Sequence, residues 1–155
     1  MNIQEAFKVQ AKSDFAIYTK LNKLQVNDCH QMHYLMMACE KLSKSFASFG
    51  ATHYVIKSFI QSCDNSPDIR KHLGFHLNKN AFINKKKQLL KVAEQFEKWV
   101  PKSNDTSAKN TEYPFESPPN SGNFIAPHSQ KFNEISPIDL KAMISFLSQM
   151  INYQP

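Results

Sequence analysis

"HQMHYLMMACEKLSKSF", residues 30–46, decides the fold class. Met32, Leu35, Met36, Cys39, Leu42 and Phe46 recur at spacings of three and four, which puts them on one face of a helix. A strand would alternate every second residue instead. With Phe49 extending the stripe and Gly50 placed to stop it, the spacing predicts a helix over about 28–49, capped by Asn27 or Asp28. Opposite the stripe run His33, Met37, Glu40, Lys41 and Lys44, with His30 one turn earlier. Glu40 and Lys44 form an i,i+4 pair in the favourable order, so this side reads as a solvated face.

Helical patterns continue on both sides. A first helix is expected over about 2–24, with Ile3, Phe7, Phe15, Tyr18 and Leu21 as its apolar stripe. A third, over about 52–63, buries Val55, Ile56 and Phe59. Ser66, Pro67 and Asp68 then start a short helix that Gly74 ends. A fifth, about 79–100, carries Phe82, Ile83, Leu89, Leu90, Val92, Phe96 and Trp99 on one face and Lys85, Lys86, Lys87, Lys91 and Lys98 on the other. Residues 101–135 lose the helical period to Pro, Ser and Asn, yet Tyr113, Phe115, Phe124, Ile125 and Phe132 are too apolar for a solvated linker. This stretch is expected to be an ordered, irregular loop pinned to the bundle by those side chains. "SPID" at 136–139 resembles a capping box and opens a last helix, about 137–152.

The expected architecture is all-α: a bundle of about five to six helices, with a long irregular loop before the C-terminal helix. One domain spans 1–155, with the bundle in 1–100, the loop in 101–135 and the last helix in 136–155. A chain of 155 residues is long enough to bury a core of its own.

The formal charge is +6 and is unevenly spread. Residues 1–100 hold 15 Lys+Arg against 8 Asp+Glu, and residues 101–155 hold 4 against 5. A basic helical part attracts nucleic acid or acidic partners through its summed field. Arg70 is the only arginine, however, and site-specific phosphate or base recognition leans on arginine's rigid fork. No apolar stretch approaches the roughly 18–20 residues that cross a bilayer, and the N-terminal residues lack a secretory h-region. No membrane association is expected, and a cytoplasmic location is. The three cysteines fit a reducing compartment: Cys29 and Cys39 would stand about 15 Å apart on one helix, and Cys63 has no obvious partner.

The usual signatures of chemistry are missing. There is no HExxH or CxxC to complete a metal site around His30 and His33, no GxSxG, and no phosphate-cradling glycine loop. No metal and no cofactor are expected. Two candidate sites remain. "IRKHLGFH", residues 69–76, places Arg70 and His76 on either side of Gly74. It reads either as half of a catalytic pair or as a helix end with favourable basic residues. A polar pocket could instead gather His33, Glu40, Lys41, Lys44 and His53 beside the Asn110–Tyr113 loop, where Pro114 holds Tyr113 extended and Glu112 points toward Lys41 or Lys44.

HYLMMACEKLSKSF, THYVIKSF (52–59), RKHLGF (70–75), NTEYPFE (110–116) and NFIAP (123–127) together resemble HEPN-like domains. They look closest to a group of uncharacterised bacterial members with an N-x-E-Y-P-aromatic loop. The resemblance covers roughly residues 10–135. It implies an RNA-directed effector, in many members a metal-independent ribonuclease of toxin–antitoxin, phage-defence or CRISPR systems. It also implies a homodimer and a protein partner from a defence or toxin–antitoxin operon. In such a ribonuclease a histidine acts on the ribose 2′-hydroxyl and an arginine stabilises charge on the phosphate. Arg70 and His76, with five residues between, occupy those places here, although Lys71 stands where Asn, Asp or His is usual. The alternative is a non-catalytic helical module that binds nucleic acid, a nucleotide or a partner protein.

Overall fold

The computed structural model describes residues 1–46, 55–75, 78–100 and 109–153. Among these residues the chain folds into six α-helices with one very small β-ladder, an all-α bundle as the periodicity requires.

Helix α1, Ile3–Lys23, begins with a capping box in which the Asn2 side chain accepts from the Glu5 amide and Glu5 accepts from the Asn2 amide. It ends where Gln25 takes a positive φ of 51°, with the Val26 amide donating to the Leu21 carbonyl at 3.1 Å. The chain then turns back into α2, Asp28–Phe46, and the two helices pack along each other as a hairpin. The buried line of α1 is Ala11, Asp14 and Tyr18. That differs from the expected stripe: Phe7, Phe15 and Leu21 are only half-buried, and Ile3 is exposed. An outer helix with one main neighbour buries a narrow line, and methyl-sized Ala11 lets the two backbones approach. Helix α2 is the hub. It touches α1, α3 (Val55–Ser62), α6 (Pro137–Ile151) and a 3₁₀ turn of the loop, Pro127–Ser129.

A 3₁₀ turn, Cys63–Asn65, leads into α4, Pro67–His72, whose Ser66 hydroxyl accepts from the Ile69 amide. Helix α5, Lys79–Lys98, packs on α3 and α6 and starts at Asn78, whose side chain accepts from the Ala81 amide. Between α2, α3, α5 and α6 lie Leu35, Leu42, Ile60, Phe82, Leu89, Phe96, Met143, Leu147 and Met150, all fully buried. Each large apolar side chain removed from water in this way contributes about 1.5–3 kcal/mol. Ser136 opens α6 by accepting from the Asp139 amide, while the Asp139 carboxylate takes the Ser136 hydroxyl rather than its amide. SPID is therefore a cap but only half a capping box.

The described part of the loop, residues 109–135, is less irregular than expected. Phe115–Glu116 (β1) pairs antiparallel with Phe124–Ile125 (β2). Phe115 and Phe132 are buried, and Phe132 meets Trp99 edge to face with ring centroids 5.1 Å apart. Tyr113 and Phe124 do not pin the loop: they are 65% and 60% exposed. The Asn110 side chain accepts from the Glu112 and Tyr113 amides, and this turn leaves Tyr113 outside before the chain enters β1.

Candidate functional site

The polar side of α2 is covered, not solvated. Glu40 is 4% exposed, with Lys44 Nζ 2.6 Å and Lys41 Nζ 3.5 Å from its Oε1. The Lys44 ammonium lies 5.9 Å from the centre of the Phe7 ring on α1. Two turns earlier on the same side, His33 Nδ1 stands 2.9 Å from Glu112 Oε1 of the loop. This is an ion-pair distance once the imidazole is protonated, but the carboxylate sits off the ring N–H direction, so no hydrogen bond forms. Glu112 therefore meets His33, not Lys41 or Lys44 as expected. The expected pocket splits in two along α2: His33 with Glu112 and the Asn110 turn, and Glu40 with Lys41 and Lys44. Tyr113 belongs to neither cluster. His53 lies outside the described residues.

The second candidate is the end of α4. Gly74 takes a φ of 79°, the Gly74 amide donates to the Lys71 carbonyl, and the Phe75 amide donates to the Arg70 carbonyl at 2.8 Å. This is the paired C-terminal motif that reverses a chain, and it needs a residue free to adopt positive φ. The Arg70 guanidinium folds back from α4 and donates to the Asp64 carbonyl in the 3₁₀ turn. Lys86 of α5 pairs with the carboxylate of the same Asp64. His72 faces elsewhere: its Nε2 is 3.0 Å from the Gln149 carbonyl of α6, and its ring meets Tyr153 edge on. His76, the other half of the expected pair, lies outside the described residues.

Helix α5 supplies the open charge. Lys79, Lys87, Lys91 and Lys98 are exposed and form no ion pair among the described residues. Lys85 and Lys86 are half-buried, and burial lowers the Lys85 pKa. The acids on α5 are engaged by α3: Lys57 Nζ stands 3.8 Å from Glu94 and 3.6 Å from Glu97. Burial raises the Glu97 pKa despite Lys57 opposing it.

Cys29, Cys39 and Cys63 are unpaired and buried, and burial pushes the Cys39 and Cys63 thiols up to about 12. Among the described residues no three His, Cys, Asp or Glu gather as metal ligands, and no helix is long and apolar enough to cross a membrane.

Two functional-looking acids escaped the sequence reading. Asp14 is buried within α1 and accepts from the Gln10 side chain at 2.8 Å. Its spacing of three from Ala11 and four from Tyr18 is the available signal. Asp64 gave none, because its partners come from two other helices. Comparison with protein-family models, with curated proteins and with solved structures finds no match for this chain.

Proposed function

We propose that this chain is an RNA-directed helical module of the HEPN-like kind that holds a phosphate backbone on the lysine face of α5. The observation that supports it is the set of four exposed lysines, Lys79, Lys87, Lys91 and Lys98, without an acid partner among the described residues. Lysine presents a flexible point charge, suited to phosphate rather than to a base edge. Binding by such a face is indifferent to sequence and falls steeply with salt. For single-stranded RNA the slope of log K against log salt is about −0.7 per phosphate neutralised. Replacing Lys87, Lys91 and Lys98 with alanine together should flatten that slope by about two units. An unchanged slope would remove α5 from the interface. The module works in the cytoplasm as a homodimer beside a protein partner from a toxin–antitoxin or defence operon. Sedimentation on the order of tens of micromolar should show the dimer.

Binding without cleavage is the preferred form of this reading because the one arginine is committed to the Asp64 carbonyl. Metal-independent ribonuclease activity through Arg70 and His76 is the second form. Its support is that Arg70 is only half-buried, with guanidinium donors to spare. In chelator the purified protein should leave RNA intact. Cleavage to a cyclic phosphate, abolished by both Arg70→Ala and His76→Ala, would establish the ribonuclease instead.

A further inference from the structure

Asp64 is the meeting point of two cations from two helices. Arg70 of α4 holds its main-chain carbonyl, and Lys86 of α5 holds its carboxylate. The two contacts have different jobs. An arginine on a carbonyl neutralises nothing, but it fixes the backbone of the 3₁₀ turn and so fixes where the carboxylate stands. The lysine on the carboxylate is neutralised. The Lys86 and Asp64 side chains are 20% and 29% exposed, so water can reach the pair and another anion can compete for the ammonium. Lys86 stands two turns of α5 from Lys79, one of the free lysines, and so lies on the same side of the helix.

We infer that Asp64 is a built-in counter-ion which, positioned by Arg70, withholds Lys86 from the lysine face of α5, so that an RNA phosphate must displace a carboxylate to use that lysine. This rests on the RNA reading and deepens it. The resting protein offers fewer phosphate contacts than its lysine count suggests, and Asp64 limits its affinity. Arg70 is a positioning residue in this scheme: it touches the turn, not the ligand.

The test is titration of a fluorescein-labelled oligouridylate, followed by anisotropy over a salt series. Lys86→Gln removes no phosphate contact and should leave the salt slope unchanged, its loss of affinity being only the long-range effect of the unmasked Asp64 carboxylate. Lys87→Gln should instead flatten the slope by about 0.7. Asp64→Asn should tighten binding several-fold and steepen the salt slope by about 0.7, the value of one phosphate contact. Asp68→Asn removes the same charge from an exposed acid that has no ion pair among the described residues, and should do less. In Asp64→Asn/Lys86→Gln the gain should vanish. Equal effects of Asp64→Asn and Asp68→Asn would overturn the inference. So would a flattening of the salt slope in Lys86→Gln equal to that in Lys87→Gln, a comparison that holds even if Asp64→Asn fails to fold. If the triple α5 variant loses binding while Asp64→Asn matches Asp68→Asn, the inference fails alone. If neither wild type nor Asp64→Asn binds the oligonucleotide, it fails with the RNA reading.

Discussion

Helices α2 and α5 carry the same sequence pattern, an apolar stripe backed by a face of lysines and polar residues, and the fold treats them in opposite ways. On α2 that face is roofed over by Phe7 of α1 and by Glu112 of the loop, and its acid Glu40 is buried between two lysines. On α5 it stays open: Lys87, Lys91 and Lys98 are exposed and form no ion pair among the described residues. A single charge removed from the covered face is costly to stability, because its partner is left with neither water nor counter-ion. A charge on the open face contributes almost nothing to stability and is free to bind.

The largest expected effect tests the cover itself. Phe132→Ala removes the ring that seats the loop against Trp99 and should cost about 3–5 kcal/mol in urea unfolding. A loss below about 1 kcal/mol would mean that the loop is not part of the core. Next comes Lys44→Ala, which removes the ammonium 2.6 Å from the Glu40 carboxylate. About 3 kcal/mol is expected, the low end for a broken buried pair, since Lys41 remains at 3.5 Å. Glu40→Met/Lys44→Met together should cost less than Lys44→Ala, because no buried carboxylate is left and the half-buried Lys41 ammonium can turn to water.

A pH series reads the interior. The Cys39 and Cys63 thiols titrate higher in the folded chain than in the unfolded one, so the folded state holds more protons across the interval between. Their contribution is fully present below about pH 8.5 and is lost as pH rises toward 12. The slope is up to about 1.4 kcal/mol per pH unit for each thiol. Cys39→Ala/Cys63→Ala should show a shallower alkaline decline, and identical slopes would contradict the assignment. Glu112→Gln tests a half-exposed pair and should cost less than about 1 kcal/mol. Smallest of all, Lys91→Ala should stay within about 0.5 kcal/mol of wild type in stability while weakening RNA binding. A stability loss matching that of Lys44→Ala would erase the contrast between the two helices.

Much of this molecule could be read along the chain, since a local rule carries its information locally. Met32, Leu35, Cys39 and Leu42 are buried together, Ser66 and Ser136 cap the helices they were expected to cap, and Gly74 stops α4 through the positive φ that glycine adopts without strain. Other features were not local. Glu40 looked solvated because its i,i+4 lysine is the mark of a surface pair, and nothing nearby says that α1 will lie across it. Tyr113 looked like an anchor because it is aromatic, but the Asn110 turn leaves it outside and gives the seat to Phe115.

By itself, then, the sequence determined which segments are helical, where α1, α4 and α6 begin, which face of α2 enters the core, and that the charge lies in the first hundred residues. The expected stop at Gly50 lies outside the described residues. Only the tertiary structure decided that Glu112 meets His33, that Asp64 takes Arg70 and Lys86, and that one lysine face is covered while the other is open. The reason is distance along the chain. Periodicity and capping act within a turn or two of helix, whereas the burial of a charge depends on which distant segment packs over it, and that is settled by the fold as a whole.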